Sequence, residues 1–250
     1  VDNTTILLMA GGEGSRFKTV TGNDDVNKNS FKLPNGDTMF EMTLRMYADA
    51  GFKDFVALVY HHADSIEKLL GDGSSLGVNL KYSYDPEKPV GKGGAVLNAL
   101  LNGSIPEDNN IIVHNPDDLI INYKGSFPRD IVSGHIHGVK NGGLGTVVVV
   151  EETAYPYTGM QIVDNKVEDI EMYPKVPIPT HIGVTLFSPN VFPYFKELFS
   201  LEEKSDFEKV LFPVISKENK LFATSIPNEC WLAVNNPKAF KQLLKYLNGS

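Results

Sequence analysis

Three glycines, a serine and an arginine stand within six consecutive positions, Gly11-Gly12-Glu13-Gly14-Ser15-Arg16. Glycine has no Cβ, so its backbone N–H can come close to an anion. Successive N–H groups in such a loop make a concave anion site. Arg16 adds a permanent charge in a planar fork that fits phosphate oxygens. Directly before the loop, the apolar run Thr4–Ala10 reads as a buried strand. A strand feeding a glycine-rich basic loop is where an α/β sheet holds a polyphosphate.

Several phosphate loops are built this way. A Walker A loop needs a Gly-Lys-Ser/Thr, and the one Gly-Lys pair here, Gly91-Lys92, is followed by Gly93. A dinucleotide fingerprint needs a third small residue for close helix–strand packing, and Phe17 stands there. A plain surface turn is the bland alternative. The segment Leu7 to Phe17 closely resembles the signature L-A-G-G-x-G-[ST]-R-[LF] of the sugar-phosphate nucleotidyltransferases.

That resemblance spans the chain from Leu7 to Pro237, with motifs in the family's order, and it implies roles for particular residues. Ala10, Gly11, Gly12, Gly14 and Ser15 would cradle the triphosphate, and Arg16 would hold the leaving pyrophosphate. The active-site lysine would be Lys28, with Asn27 in place of the family's proline; Lys32, followed by Leu33-Pro34, is the alternative. Pro89-Val90-Gly91-Lys92-Gly93-Gly94-Ala95 resembles the P-L-G-T-[AG]-G-A element, so Gly91 and Gly93 would contact the nucleotide and Gly94 the sugar. Asn115-Pro116-Asp117-Asp118 resembles the Gly-Asp element after a strand. Asp117 would be the catalytic Mg²⁺ ligand and Asp118 its neighbour. Trp231 to Pro237 has Ala233 where many relatives carry a metal-binding aspartate. Val234-Asn235-Asn236 instead resembles members in which an asparagine oxygen takes the metal, so Asn235 is the second ligand unless this pair only caps the helix at Pro237. Thr158-Gly159 falls at the family's sugar-contacting Y-G, which implicates Gly159. Met172-Tyr173-Pro174 lacks the usual glutamate and lysine, and His181-Ile182-Gly183 has histidine for asparagine.

The elements that must position these residues follow from periodicity. Strands are read at Thr4–Ala10, Phe55–Tyr60, Leu80–Tyr84, Ile111–His114 and Thr146–Val150. Helices are read at Met39–Ala50, Ala63–Leu70, Gly94–Leu101 and Phe127–Lys140. This alternation predicts parallel βαβ units. Beyond it come a hairpin at Met160–Val163 and Val167–Met172, a strand at Ile182–Phe187, and helices near Asn190–Phe199 and Asp206–Ile215. A strand at Leu221–Ile226 and a helix at Pro237–Leu247 complete the pattern. The second half reads as an insertion packed on one sheet, within a single domain over residues 1–250. The resemblance implies a Rossmann-like α/β sandwich with a mixed central sheet and helices on both faces.

Composition sets limits. A net charge of −8 with no basic stripe argues against nucleic acid as partner. No apolar run reaches membrane-span length, and no signal-peptide pattern stands at the N-terminus, where the chain begins at Val1. The single cysteine, Cys230, excludes an intramolecular disulfide and fits a reducing, cytoplasmic setting. Paired histidines at positions 61–62 and at 135 and 137 lack helical ligand spacing. The expected substrates are an NTP and a sugar 1-phosphate, with Mg²⁺ as cofactor. The base leans toward guanine on the Gly-Gly-Ala after Gly91, and a homo-oligomer is left open. A catalytically silent nucleotide-sugar-binding paralogue, or transfer to an alditol, inositol or choline phosphate, are the other readings.

Overall fold

The structure is a computed structural model that describes residues 3–12, 14 and 27–249. Its first strand, β1 (Thr4–Ala10), alternates in the way that decides the architecture. Ile6 and Leu8 join one core, and Leu7 and Met9 join another on the opposite side. A strand buried on both faces needs a helical layer on each.

The first layer comes from α1 (Met39–Asp49), which follows Thr38 in a capping box with Glu41. Thr38 Oγ1 accepts from Glu41 N–H at 3.1 Å, and Glu41 Oε2 accepts from Thr38 N–H at 2.9 Å. Such a cap stabilises a helix by about 1 kcal/mol. Strand β2 (Asp54–Val59), helix α2 (Ala63–Leu70), strand β3 (Asn79–Tyr84), helix α3 (Gly91–Leu101) and strand β4 (Asn110–His114) continue the alternation. A three-residue strand, β5 (Asp118–Ile120), leaves the end of β4. Helix α4 (Phe127–Lys140) and strand β6 (Gly145–Val150) follow.

The second half is less separate than its pattern suggests. Short strands β7 (Thr153–Ala154) and β10 (Lys175–Val176) pair at the root of a ribbon made by β8 (Thr158–Val163) and β9 (Lys166–Met172). The chain then re-enters the main sheet as β11 (Thr180–Phe187). It adds α5 (Phe192–Leu198), α6 (Phe207–Lys217), β12 (Leu221–Ile226), β13 (Trp231–Ala233) and α7 (Pro237–Leu247). The seven-stranded sheet runs β12-β6-β11-β4-β1-β2-β3, with β11 antiparallel to both its neighbours. Thus β11 and β12 are strands of the main sheet rather than an insertion laid on it. The β8–β9 ribbon stands apart as its own two-stranded sheet.

Phe40, Leu44, Tyr47, Phe127 and Ile131 fill the face of Ile6 and Leu8. Val96, Phe187, Phe195, Phe207 and Leu211 fill the face of Leu7. A third, smaller core of Leu33, Met39, Leu119, Val234, Phe240 and Leu243 joins α7 to the two-stranded β5–β13 sheet. Leu119 of this small core follows directly on Asp117 and Asp118 and holds the backbone there.

Candidate active site

The chain reverses its direction of travel at β1: β2 lies on one side of it and β4 on the other. A sheet opens a crevice at the carboxyl end of such a switch point. There the structure has a cavity of about 360 Å³, whose floor is Met9, Gly11 and Gly12 after β1, Leu58 of β2, and Asn115 and Asp117 after β4. Lys28, Asn29, Asp85, Gly91, Lys92, Lys204 and Asp206 make the walls.

Lys28 sits in a single 3-10 turn, Lys28–Ser30. Asn27 ties this turn to the sheet. It is 2% exposed, and its side-chain amide donates to Ala10 O at 2.6 Å and His61 O at 2.9 Å. Its Oδ1 accepts from Asn29 N–H at 3.0 Å. Asn27 thus binds the ends of two strands to the turn that carries the lysine. Lys28 Nζ meets Asp117 Oδ2 in a close ion pair across the cavity. Gly14 has φ +61°, and a Cβ there would lie 3.3 Å from Lys28 Cβ, so the glycine lets the loop run beside the lysine. Lys32 instead pairs with Glu41 Oε2 at 3.0 Å, on the capping box of α1. The structure brings Lys28 to the cavity and leaves Lys32 outside it. Ser15 and Arg16 lie outside the described residues.

Asp117 and Asp118 diverge despite being adjacent. Asp117 faces the cavity. Asp118 turns inward and accepts from Asn115 Nδ2 at 3.1 Å and Trp231 Nε1 at 3.0 Å. Burial, then the charge of Asp117, pushes its carboxyl up to about 7. With both oxygens engaged, Asp118 anchors the loop. Gly183 makes room for it: φ is +76°, and a Cβ would meet Asp118 Oδ2 at 2.1 Å. His114 holds the backbone from beneath. Burial lowers its imidazole to about 4, so it is neutral. A carbonyl only accepts, so Nε2–H donates to Asp118 O at 2.8 Å, and Nδ1 accepts from the Tyr47 hydroxyl at 2.9 Å.

The start of α3 departs from expectation. Its N–H groups are already taken: Lys92 N–H donates to Asp206 Oδ1 at 3.0 Å and Gly93 N–H to Ser205 O at 2.9 Å. A Cβ on Gly93 would meet the Phe199 ring at 2.0 Å, and one on Gly94 would meet Val90 at 2.6 Å. These two glycines make room for neighbouring side chains, and neither lines the cavity. Gly91 stays on the cavity wall with φ +76°, against the Ser205 backbone. Lys92 pairs with Glu208. Gly159 lies in β8, where its missing Cβ faces Pro174 at 2.7 Å, and it does not line the cavity. The structure leaves Gly159 at the ribbon's root, apart from the other expected site residues.

Asn235 follows Val234, whose N–H donates to Asp117 O at 2.7 Å. Asn236, not Asn235, caps α7, its Oδ1 accepting from Ala239 N–H at 2.9 Å. Asn235 is exposed and off the cavity wall, and its Oδ1 accepts from Asn236 Nδ2 at 2.8 Å. Sequence reasoning gave no role to Asn27, Asn115, Trp231, Gly183, Lys204 or Asp206; Asn27, Trp231, Gly183 and Asp206 act on partners far along the chain, and Asn115 on Asp118 three residues on. One local signal existed: Asp206 precedes an apolar helix, although its carboxylate caps α3 instead of α6.

A family model described as nucleotidyl transferase matches residues 5–248. The chain belongs to the nucleotidyl transferase family. This member is 26% identical over 238 residues to mannose-1-phosphate guanyltransferase beta-B of Xenopus laevis, which covers 94% of this chain. The chain spans 62% of the length of that curated relative. Its fold matches a crystal structure from Bacillus anthracis named as a glucose-1-phosphate thymidylyltransferase, in complex with a sucrose. The TM-score is 0.71 at 20% identity, over 98% of this chain and 94% of that one.

Asp117 offers a carboxylate oxygen to the cavity, the kind of donor that a hard divalent cation such as Mg²⁺ takes, whereas Asn235 lies off the cavity wall beyond Val234. Among the described residues no three acidic, histidine or cysteine side chains cluster as a metal cage. Mg²⁺ needs none, because it keeps several waters and binds through one or two carboxylates and substrate phosphates.

Proposed function

We propose that this chain transfers a nucleotidyl group from an NTP to a sugar 1-phosphate with Mg²⁺, giving an NDP-sugar and pyrophosphate. The observation that carries the reading is the Lys28–Asp117 pair, set across a cavity that opens beside the glycine turn after β1. In the reaction a sugar-phosphate oxygen forms the new bond to the α-phosphorus, and the bond from that phosphorus to the bridging oxygen breaks. Pyrophosphate carries that electron pair away. Neither step needs a covalent enzyme intermediate, so the protein works by positioning and charge.

The described wall carries Lys28, Lys92 and Lys204 against Asp85, Asp117 and Asp206. Such a balanced wall cannot by itself hold two polyanions. The proposal therefore gives the remaining charge to Arg16 and to Mg²⁺ on Asp117, with Asn235 as its second protein ligand. Bound there, Mg²⁺ would supply Lewis-acid charge stabilisation. Lys28, released from Asp117 when substrate arrives, would neutralise the α-phosphate. Gly11, Gly12 and Gly14 would offer backbone N–H groups to the triphosphate, with Ala10 at the end of the strand beneath them.

The guanyltransferase relative and the Gly-Gly-Ala of α3 make GTP with mannose 1-phosphate the first pair to try. The test is pyrophosphate release across the common NTPs crossed with hexose 1-phosphates and with alditol, inositol and choline phosphates. Release with one sugar 1-phosphate and a strict Mg²⁺ requirement is the expected result. Nucleotide-sugar binding without release under any pair would make this chain a silent binder and overturn the proposal.

A further inference from the structure

Ten of the fifteen large apolar side chains exposed among the described residues fall between Tyr155 and Ile178. They lie on the β8–β9 ribbon and its roots. The ladder sets Met160 opposite Ile170, Ile162 opposite Val167 and Thr158 opposite Met172. Side chains alternate along a strand, so Met160, Ile162, Val167, Ile170 and Met172 share one face. Gln161, Lys166, Asp169 and Glu171 share the other. The register shift after Gln161 leaves Glu168 as an extra residue in β9. This bulge puts Val167 rather than Glu168 on the apolar face. The five apolar side chains are 49–61% exposed, and the ribbon is a two-stranded sheet with no third strand among the described residues.

An isolated two-stranded ribbon is marginal in water, and contiguous apolar patches of this size mark interaction sites. Half-exposed side chains of this bulk offer on the order of 80–100 Å² each, so the five together offer roughly 400–500 Å², about the apolar share of what a standard interface takes from each partner. The charges between Tyr155 and Ile178 favour protein over an anionic lipid surface: Lys166 and Lys175 stand against Asp164, Glu168, Asp169 and Glu171. A face that is apolar but for Thr158 at one end is complementary to itself, which is what a two-fold contact requires.

We infer that the β8–β9 ribbon is a dimerisation arm that seats its apolar face on the same face of a second copy of this chain. Two ribbons stacked this way leave Gln161, Lys166, Asp169 and Glu171 in solvent. The arm accounts for an apolar face that the monomer does not use.

The test is sedimentation equilibrium from about 1 to 100 µM on the parent chain and on the double variant Ile162→Asp/Ile170→Asp. Gln161→Asp on the polar face is the control. Circular dichroism confirms that each is folded, and exposed positions tolerate such changes. The parent and Gln161→Asp should be dimers, and the double variant should dissociate with a constant raised about 100-fold or more. In a Cys230→Ala background, Met160→Cys should cross-link on oxidation and Asp169→Cys should not. A parent chain that stays monomeric through this range overturns the inference, as does a dimer that survives the double variant. So does a monomer that floats with neutral lipid vesicles, which would give the face to a membrane.

Discussion

Lys28 and Lys32 are four residues apart, and what separates them is their partners. Lys28 reaches Asp117 in the cavity and Lys32 reaches Glu41 on a helix cap. Lys28→Ala should lower turnover by ~10²-fold or more, the scale of removing one charge-stabilising donor, in a pyrophosphate-release assay. Lys32→Ala should stay within a few-fold of the parent. The sequence left the two lysines open because both sit in a plausible dipeptide. Asn27 sets Lys28 at the cavity through bonds to Ala10 and His61, which no local pattern reveals. Asp117 and Asp118 were ranked by a resemblance, and the physical ground is burial: Trp231 and Asn115 occupy Asp118. Asp117→Asn should nearly abolish activity. Asn235→Asp should keep much of it, and Asn235→Ala should need more Mg²⁺, read from the Mg²⁺ concentration that gives half-maximal rate. An unchanged Mg²⁺ requirement in Asn235→Ala would remove Asn235 from the metal site.

At the scale of elements, the long periodic segments were legible and the short ones were not. α1, α2, α4 and α7, and the strands of the main sheet, fall where apolar spacing puts them, within a few residues. β5 and β13 were missed because three residues carry no period. They form only because Trp231, Leu232 and Ala233 pair with Ile120, Leu119 and Asp118. α3 begins three residues earlier than its apolar pattern, at Gly91, because Ser205 and Asp206 cap its first turn. That contact makes a prediction. Gly93→Ala must push the Phe199 ring away, since Cβ would come within 2.0 Å of it. Overpacking of this kind costs about 1–3 kcal/mol, so the denaturation midpoint should fall. The shift should reach Gly91 and Lys92 on the cavity wall and raise the KM for the NTP more than it lowers kcat. A normal midpoint in Gly93→Ala would mean that the 199–206 segment gives way freely.

Across the whole molecule, the sheet divides the reacting end from the rest, and His135 on α4 lies away from the reacting end. It is 4% exposed, with Nδ1 2.9 Å from Thr146 Oγ1. Burial lowers its imidazole from 6.5 to about 4. As pH falls below 6.5, the unfolded chain takes a proton at this residue before the folded chain does. Stability is therefore full above that value, drains as pH falls toward about 4, and drains no further at this residue below it. His114, also lowered to about 4, acts in the same direction. Asp118 acts in the opposite one. Its raised carboxyl keeps a proton that the unfolded chain has lost, so its contribution is greatest at low pH and is lost as pH rises through about 7. The raw pH profile mixes all three, and a difference isolates one. His135→Gln retains a hydrogen-bonding group for Thr146 and takes no proton. The unfolding free energy of the parent minus that of the variant, from urea titrations, should fall by roughly 2–3 kcal/mol between pH 7.5 and 4.5. A difference that stays flat over that span would mean that the folded protein protonates His135 as readily as water does, and that α4 does not seal it from solvent.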